Sequence, residues 1–404
     1  MGSPRGDARD AGMAEARRIV SIVGTRPEAI KMAPVAEALA HSRSISHQVL
    51  LTGQHSGLSG AICDVSVELP HDPVPRTPPR LRERLHRLLT PQLARLAPDL
   101  VLVHGDTSSA LAGALAARDC GIPIGHVEAG LRSFDMRQPW PEEGNRIAID
   151  ALSHLLFAPT DHAAGNLRKE PRVRGAIHVT GNTGIDAVLR EAARIPAEQR
   201  VHAPGVPLIL VTCHRKENQG AAAEAVCRAV RTIAQSLFCD VAFVLHTNPV
   251  VRAEIAPLLA AERNVRLIEP LSHPDMVRLL TRATLVLTDS GGLQEEGPAL
   301  GKPVLVLRDV TERPEALGSE HLELVGTDPV AIFTAAAGLL ADPDRLRRLA
   351  VPTFPFGDGR AAPRIARAIE RWFDARARRP FMLRPGAAVP AAVRARPAHP
   401  IDAR

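Results

Sequence analysis

Residues 284–297 read Thr-Leu-Val-Leu-Thr-Asp-Ser-Gly-Gly-Leu-Gln-Glu-Glu-Gly. An apolar tract, Thr284–Ser290, meets Ser290-Gly291-Gly292 and passes directly into a helix-forming segment. A short run that is apolar at most positions suits a strand covered on both faces, as in a parallel sheet. The two glycines let main-chain N–H groups close on a phosphate with the helix dipole behind them. Glu296 falls one turn into the helix, at the spacing to accept from ribose hydroxyls of a nucleotide diphosphate. Downstream come Gly301-Lys302-Pro303-Val304-Leu305-Val306-Leu307-Arg308-Asp309 and Thr311-Glu312-Arg313-Pro314-Glu315, which add a further strand and Arg313.

Working outward, the same alternation of short β-branched runs and longer Ala/Leu/Arg-rich segments recurs through the chain, the pattern of parallel sheets covered by helices. Strands are expected over 18–24, 47–53, 99–106, 122–127 and 177–181, and again over 207–214, 241–247, 265–269, 284–290 and 303–308. Residues 196–207, proline-bearing and aperiodic, separate the two sets and read as a linker. The fold class is α/β, with two doubly wound Rossmann-like domains at 18–195 and 208–362 and an active-site cleft between them. A helix is expected at 363–376, after a flexible start at 1–17 and before a disordered basic tail at 377–404. Ligands of such sheets bind beyond the carboxyl ends of the strands, at the switch in strand order.

The 404 residues are 45% hydrophobic, enough for two cores. The formal charge of +6 comes from 376–404, which hold seven Arg and one Asp. The rest is near neutral, and with 3% aromatics and no Tyr a nucleic-acid partner is not expected. Five cysteines, scattered and without C-x-x-C, fit a reducing cytoplasm and neither a disulfide framework nor a structural zinc site. The first residues mix Arg with acids and lack the apolar region of a signal peptide. No uncharged apolar run approaches the roughly 20 residues of a membrane span.

Candidate residues collect at strand ends. Gly24-Thr25-Arg26-Pro27-Glu28-Ala29-Ile30-Lys31 follows the first strand, and Pro27 suits a first helical turn. This is neither a Walker loop nor G-x-G-x-x-G. Arg26 and Lys31 add positive charge where a helix N-terminus already favours an anion. Asp106 closes the run Val101–Asp106, Glu128 follows Gly125-His126-Val127, and Glu142 lies in Pro139-Trp140-Pro141-Glu142. A carboxylate ending a buried strand needs a partner or a raised pKa, and such groups suit acid–base work at a C–H bond. Asp106 alone reads equally as a cap for a helix near Ser108; three acids converging with Arg26 and Lys31 point to chemistry. His214 ends the first strand of the second set, flanked by Arg215 and Lys216, and reads as a phosphate contact or proton donor to a leaving phosphate.

These stretches resemble the non-hydrolysing UDP-N-acetylglucosamine 2-epimerase family. The likeness runs from Val20 to Asp328 and rests on GTRPEAIKMAPV, LVHGDT, GHVEAGLRS, PWPEEGNR, VTGN, HRKEN, TDSGGLQEEGPALGKPVLVLRD and TERPE, in that order. It implies the glycosyltransferase-B-like pairing of two domains, a UDP-sugar substrate, no metal, no nicotinamide and no other cofactor, a cytoplasmic homodimer, and supply of precursors for cell-surface polysaccharide. It also implies a reaction: anti elimination of UDP across C1–C2 to 2-acetamidoglucal, then re-addition to give UDP-N-acetylmannosamine. By the same likeness Asp106, Glu128 and Glu142 remove and return the C2 proton, with base and acid unassigned. Arg26, Lys31 and His214 hold the diphosphate and assist its departure, while Ser290, Gly291, Gly292, Glu296 and Arg313 bind UDP. Met276 stands where relatives often place an aromatic near the uracil.

After Gly53-Gln54-His55 the chain departs from the family. It reads Ser56-Gly57-Leu58-Ser59-Gly60 and then a shortened proline-rich stretch, Pro70–Pro79, where relatives carry Arg and Gln residues for a second, activating UDP-N-acetylglucosamine. Gln54, Arg215 and His246 are the candidates for a remnant of that regulatory site. Pro27 and TERPE argue against a hydrolysing 2-epimerase that releases N-acetylmannosamine. A 2-epimerase of a diacetamido uronic acid nucleotide, a retaining glycosyltransferase and an inactive UDP-sugar sensor remain as alternatives.

Overall fold

The computed structural model describes residues 16–71, 77–137, 139–200, 202–203, 205–213, 218, 220–246, 248–311, 313, 315 and 319–378. Seven strands form a first sheet: β1 (Arg17–Val23), β2 (Ile45–Leu51), β3 (Val65–Glu68), β4 (Leu100–His104), β5 (Ile124–Val127), β6 (Leu155–Ala158) and β7 (Ala176–Val179). Six form a second: β8 (Leu208–Thr212), β9 (Asp240–Val244), β10 (Val265–Ile268), β11 (Leu285–Thr288), β12 (Val304–Val306) and β13 (Leu322–Leu324). The orders are β3-β2-β1-β4-β5-β6-β7 and β10-β9-β8-β11-β12-β13, and every pairing is parallel. Strand order therefore reverses between β1 and β4 in one sheet and between β8 and β11 in the other, which places a ligand crevice at each junction.

The helices within and after the first sheet are α1 (Arg26–Ala40), α2 (Pro78–Leu96), α3 (Ser108–Asp119), α4 (Glu142–Leu152), α5 (Asp161–Lys169) and α6 (Thr183–Arg194). Those that follow are α7 (Ala221–Ser236), α8 (Pro249–Leu259), α9 (His273–Arg282), α10 (Gly291–Ala299), α11 (Pro329–Leu340), α12 (Pro343–Leu349) and α13 (Ala361–Ala377). Because side chains alternate along a strand, the apolar runs supply two cores per sheet. On the first sheet Ile19, Val23, Leu100 and Leu102 pack on one face with Met32 and Val35 of α1. Val20, Ile22, Val101 and Val103 pack on the other with Leu85, Leu89 and Leu93 of α2. The second sheet repeats this, with Val211, Phe243 and Leu287 on one side and Leu210, Val244 and Val286 on the other.

The two-domain α/β architecture agrees with the expectation from sequence, and the differences are local. Three strands were not anticipated: β3 and β13 are short edge strands, and β6 is a four-residue apolar run close behind α4. Pro78 and Pro79, read as loop, occupy the first turn of α2, where a missing N–H costs little. The stretch 196–207 joins α6 to β8 and holds a single 3-10 turn, Ala197–Gln199. The final helix, expected over 363–376, packs Ala362, Ile365, Ala366 and Ile369 into the core of the first sheet, so the chain returns there after completing the second. The flexible start and basic tail lie outside the described residues, except 16–17, where β1 begins, and 377–378, where α13 ends.

Candidate active site

The first-sheet side of the cleft is built on the turn after β1. Thr25 caps α1, and Glu28 closes a capping box by accepting from the main-chain N–H groups of Gly24 and Thr25, both at 2.7 Å. The other oxygen of Glu28 accepts from Thr107 Oγ1 at 2.5 Å, which ties the β1 turn to the β4 turn across the switch in strand order. One turn along α1, Lys31 donates to Glu128 Oε2 at 2.5 Å. Glu128 directly follows β5 with φ at +66°, and His104 Nε2 lies 3.4 Å from the same oxygen. Burial acts to raise the Glu128 pKa, but Lys31 and His104 overcome it and hold the carboxyl well below its ordinary range. Burial acts to lower the Lys31 pKa; Glu128 and Glu295 together reverse this and raise it.

Asp106, in the turn after β4, is paired with Arg146 Nη2 at 2.7 Å, and its carbonyl accepts from Asn145 Nδ2 at 2.7 Å. The cap of α3 is Thr107, whose Oγ1 accepts from Ala110 N, so Asp106 is not spent on capping. Glu142 opens α4. Asp106, Glu128 and Glu142 line one cavity of about 440 Å³ together with Lys31, His104 and Asn145.

The second-sheet side is the start of α10. Ser290 is its N-cap residue, Gly291 and Gly292 its first two positions. A Cβ built on Gly291 would stand 2.6 Å from Arg313 Cζ, so only glycine lets the guanidinium lie across the helix end. Arg313 Nε donates to Glu295 Oε1 at 2.7 Å, and Glu295 Oε2 accepts from Asn182 Nδ2 at 2.9 Å and lies 3.7 Å from Lys31 Nζ. Lys31 and Glu295 therefore join the two halves in the middle of the cleft. Beside them, burial and the neighbouring Glu295 push the Glu296 carboxyl up to about 8. The arrangement offers a basic helix terminus for an anion and, across from it, three carboxylates in one cavity.

The family model for UDP-N-acetylglucosamine 2-epimerase matches residues 37–370. The chain belongs to the UDP-N-acetylglucosamine 2-epimerase family. It is 41% identical over 360 residues to the UDP-N-acetylglucosamine 2-epimerase of Bacillus subtilis, covering 86% of this chain and 93% of the relative. To the enzyme of the same name from Escherichia coli K12 it is 39% identical over 373 residues, covering 87% and 98%. Among solved structures, the UDP-GlcNAc 2-epimerase of Neisseria meningitidis bound to UDP-GlcNAc superposes with a TM-score of 0.82 at 36% identity, over 88% of this chain and all of that one.

Of the epimerase-like residues singled out from sequence, the fold brings Lys31, Asp106, Glu128 and Glu142 to one cavity, and Ser290, Gly291, Gly292, Glu296 and Arg313 to one helix end. Arg26 is placed differently: it lines a second cavity, of about 520 Å³, with Arg190, Arg194 and Ser272. Met276 lies on α9, partly buried against an apolar core cluster of the second sheet. Gln54 lines the carboxylate cavity, and its Oε1 accepts from Ser109 Oγ at 2.7 Å. His246, just beyond β9, accepts from Asn248 N at 2.8 Å and is not among the described residues lining that cavity. His214 and Arg215 lie outside the described residues. Sequence reasoning passed over Glu28, His104 and Glu295; their signals are GTRPE, HGD and the doubled acid of QEEG. Among the described residues, no helix is long and apolar enough to cross a membrane.

Proposed function

We propose that the chain interconverts UDP-N-acetylglucosamine and UDP-N-acetylmannosamine by elimination and re-addition of UDP, without releasing free sugar. A carboxylate takes the C2 proton, its electron pair forms the C1=C2 bond of 2-acetamidoglucal, and the C1–O bond breaks to release UDP. In return the UDP oxygen rebinds C1 while a second carboxyl delivers a proton to C2 from the opposite face. The observation that carries this reading is the gathering of Asp106, Glu128 and Glu142 in one cavity, joined through Lys31 and Glu295 to the helix terminus that bears Arg313.

A C2–H bond is weakly acidic, so elimination needs a strong base and a stabilised leaving group in one water-poor site. Lys31 and His104 hold Glu128 ionised while buried, which makes it a weaker base than an ordinary carboxylate, so the base and acid roles among Asp106, Glu128 and Glu142 are left unassigned. The α10 amides, Arg313, Lys31 and His214 are assigned to the diphosphate, Met276 to the uracil and Glu296 to the ribose. A homodimer working in the cytoplasm accompanies the proposal; the five cysteines, all unpaired, suit a reducing compartment.

Incubation with UDP-N-acetylglucosamine in D2O is expected to yield UDP-N-acetylmannosamine and deuterium at C2 of both sugars. Epimer formed without solvent deuterium would defeat the elimination route. Free N-acetylmannosamine in the same tube would select hydrolysis instead.

A further inference from the structure

Behind the carboxylate cavity lies a charged cluster that the reaction above does not use. His126, in β5, and Asp150, in α4, are fully buried, and Nδ1 of His126 lies 2.7 Å from Asp150 Oδ1. Arg132, also buried, places Nη2 2.7 Å from Asp150 Oδ2. The other ring nitrogen of His126, Nε2, donates to the Gly105 carbonyl at 2.8 Å. Taking an acid and an arginine out of water is costly, and packed apolar side chains often serve a fold as well or better. What such a cluster adds is fixed direction, because the two hydrogen bonds of His126 each hold one group at one angle and the Arg132–Asp150 ion pair ties in a third segment.

The two side-chain partners of Asp150, and the helix that carries it, lead to the three candidate carboxylates by different routes. Gly105, held by His126, is the left-handed residue (φ +63°) that turns the chain into Asp106. His126 itself is two residues before Glu128 on the same strand end. Asp150 sits eight residues after Glu142 on α4, about 12 Å along the helix axis. Arg132 opens the segment that runs on to Glu142, and that segment is held a second time where Ser133 N and Phe134 N donate to Glu143.

We propose that Asp150 is a positioning residue for the epimerisation: through His126 and Arg132 it holds the Asp106 turn, the Glu128 strand end and the Glu142 helix in one register. The proposal rests on the reading that these carboxylates move the C2 proton. It does not involve the UDP site, which stands on α10 and the loop carrying Arg313.

Steady-state turnover, C2 deuterium exchange and calorimetric UDP binding on Asp150→Asn, Arg132→Met and Arg132→Lys test it. Displacing reacting groups by an ångström can cost about 100-fold in rate, so kcat and exchange should fall by roughly that factor in Asp150→Asn and Arg132→Met. KM and UDP affinity should stay within about threefold of wild type, and Arg132→Lys, which keeps the charge, should recover most of kcat. A folded Asp150→Asn enzyme with wild-type kcat overturns the proposal. So does a loss shared equally between kcat and UDP affinity, which a general loosening of the fold would produce. If Asp150→Asn does not fold, the Arg132 pair decides; failure of Arg132→Met to fold as well would make the cluster a stability element and end the positioning role. Wild-type enzyme that epimerises without C2 exchange defeats the elimination reading itself, and is recognised before any variant is compared.

Discussion

Burial and the adjacent Glu295 push the Glu296 carboxyl up to about 8, and Lys31 offsets them only in part. At pH 7 this side chain is mostly protonated and meets a nucleotide diphosphate as a neutral donor. Binding a dianion beside it disfavours its charged form further, so the bound state holds the proton more tightly than the free state. By linkage, UDP affinity should be level near pH 7 and fall as pH rises through about 8, by at most tenfold per unit. Glu296→Gln, fixed in the neutral form, should bind UDP at pH 7 within a few-fold of wild type and lose the alkaline decline. Calorimetric titration between pH 7 and 9.5 measures both, and a wild-type affinity that rises with pH would contradict the ionisation argument. The sequence marks Glu296 by its distance from Ser-Gly-Gly but does not distinguish the part played by Glu295. Adjacent helical residues point about 100° apart, and which of them faces Lys31 depends on how α10 sits over the sheet. The same holds for His104, whose face of β4 follows from sheet register, whereas Asp106 and Glu128 are legible because turns after buried strands are where the fold exposes polar groups.

At the scale of elements, β1, β4, β8 and β11 were legible because their apolar runs are buried on both faces and bounded by turn residues. β6 was not, since Leu155–Ala158 is only four residues long and follows α4 closely, and periodicity alone does not separate a short buried strand from a buried helix. Nor does the sequence of α13 reveal which sheet it covers. The structure shows how its amino end is fixed: Ala361 N and Ala362 N donate to the two oxygens of Asp186 on α6, at 3.1 and 2.8 Å. Asp186 thus caps a helix 175 residues away in sequence and pins α13 against the first core. Asp186→Ala should cost about 1–2 kcal/mol, the usual loss when a capping acceptor is removed, read as a lower denaturant midpoint. An unchanged midpoint would mean that the apolar contacts of Ile365 and Ile369 alone hold the helix.

Across the whole molecule, polar contacts between the two halves converge on the cleft, beside the apolar packing of α6 on α9: Lys31 and Asn182 meet Glu295, and Thr160 Oγ1 donates to Glu315 Oε1 at 2.6 Å. Residues from both halves thus meet in the cleft. An activating second nucleotide would need its own polar partners beside the carboxylate cavity. Gln54 gives its amide oxygen to Ser109, and the cavity wall next to Gln54 and His55 is completed by Pro78 and Leu81, at the start of the Arg/Leu-rich α2. His246 is bonded to the backbone of Asn248 beyond β9. Among the described residues, Pro78 and Leu81 put apolar surface in the wall that also holds Gln54, and burying a second anionic nucleotide against it carries a desolvation cost. Turnover of purified UDP-N-acetylmannosamine should therefore begin without a lag, and trace UDP-N-acetylglucosamine should leave the initial rate unchanged within about twofold, since a coupled activator would shift affinity by 5-fold or more. A progress curve with a long lag that traces of UDP-N-acetylglucosamine abolish would show that the wall formed by Pro78 and Leu81 opens to admit an activator.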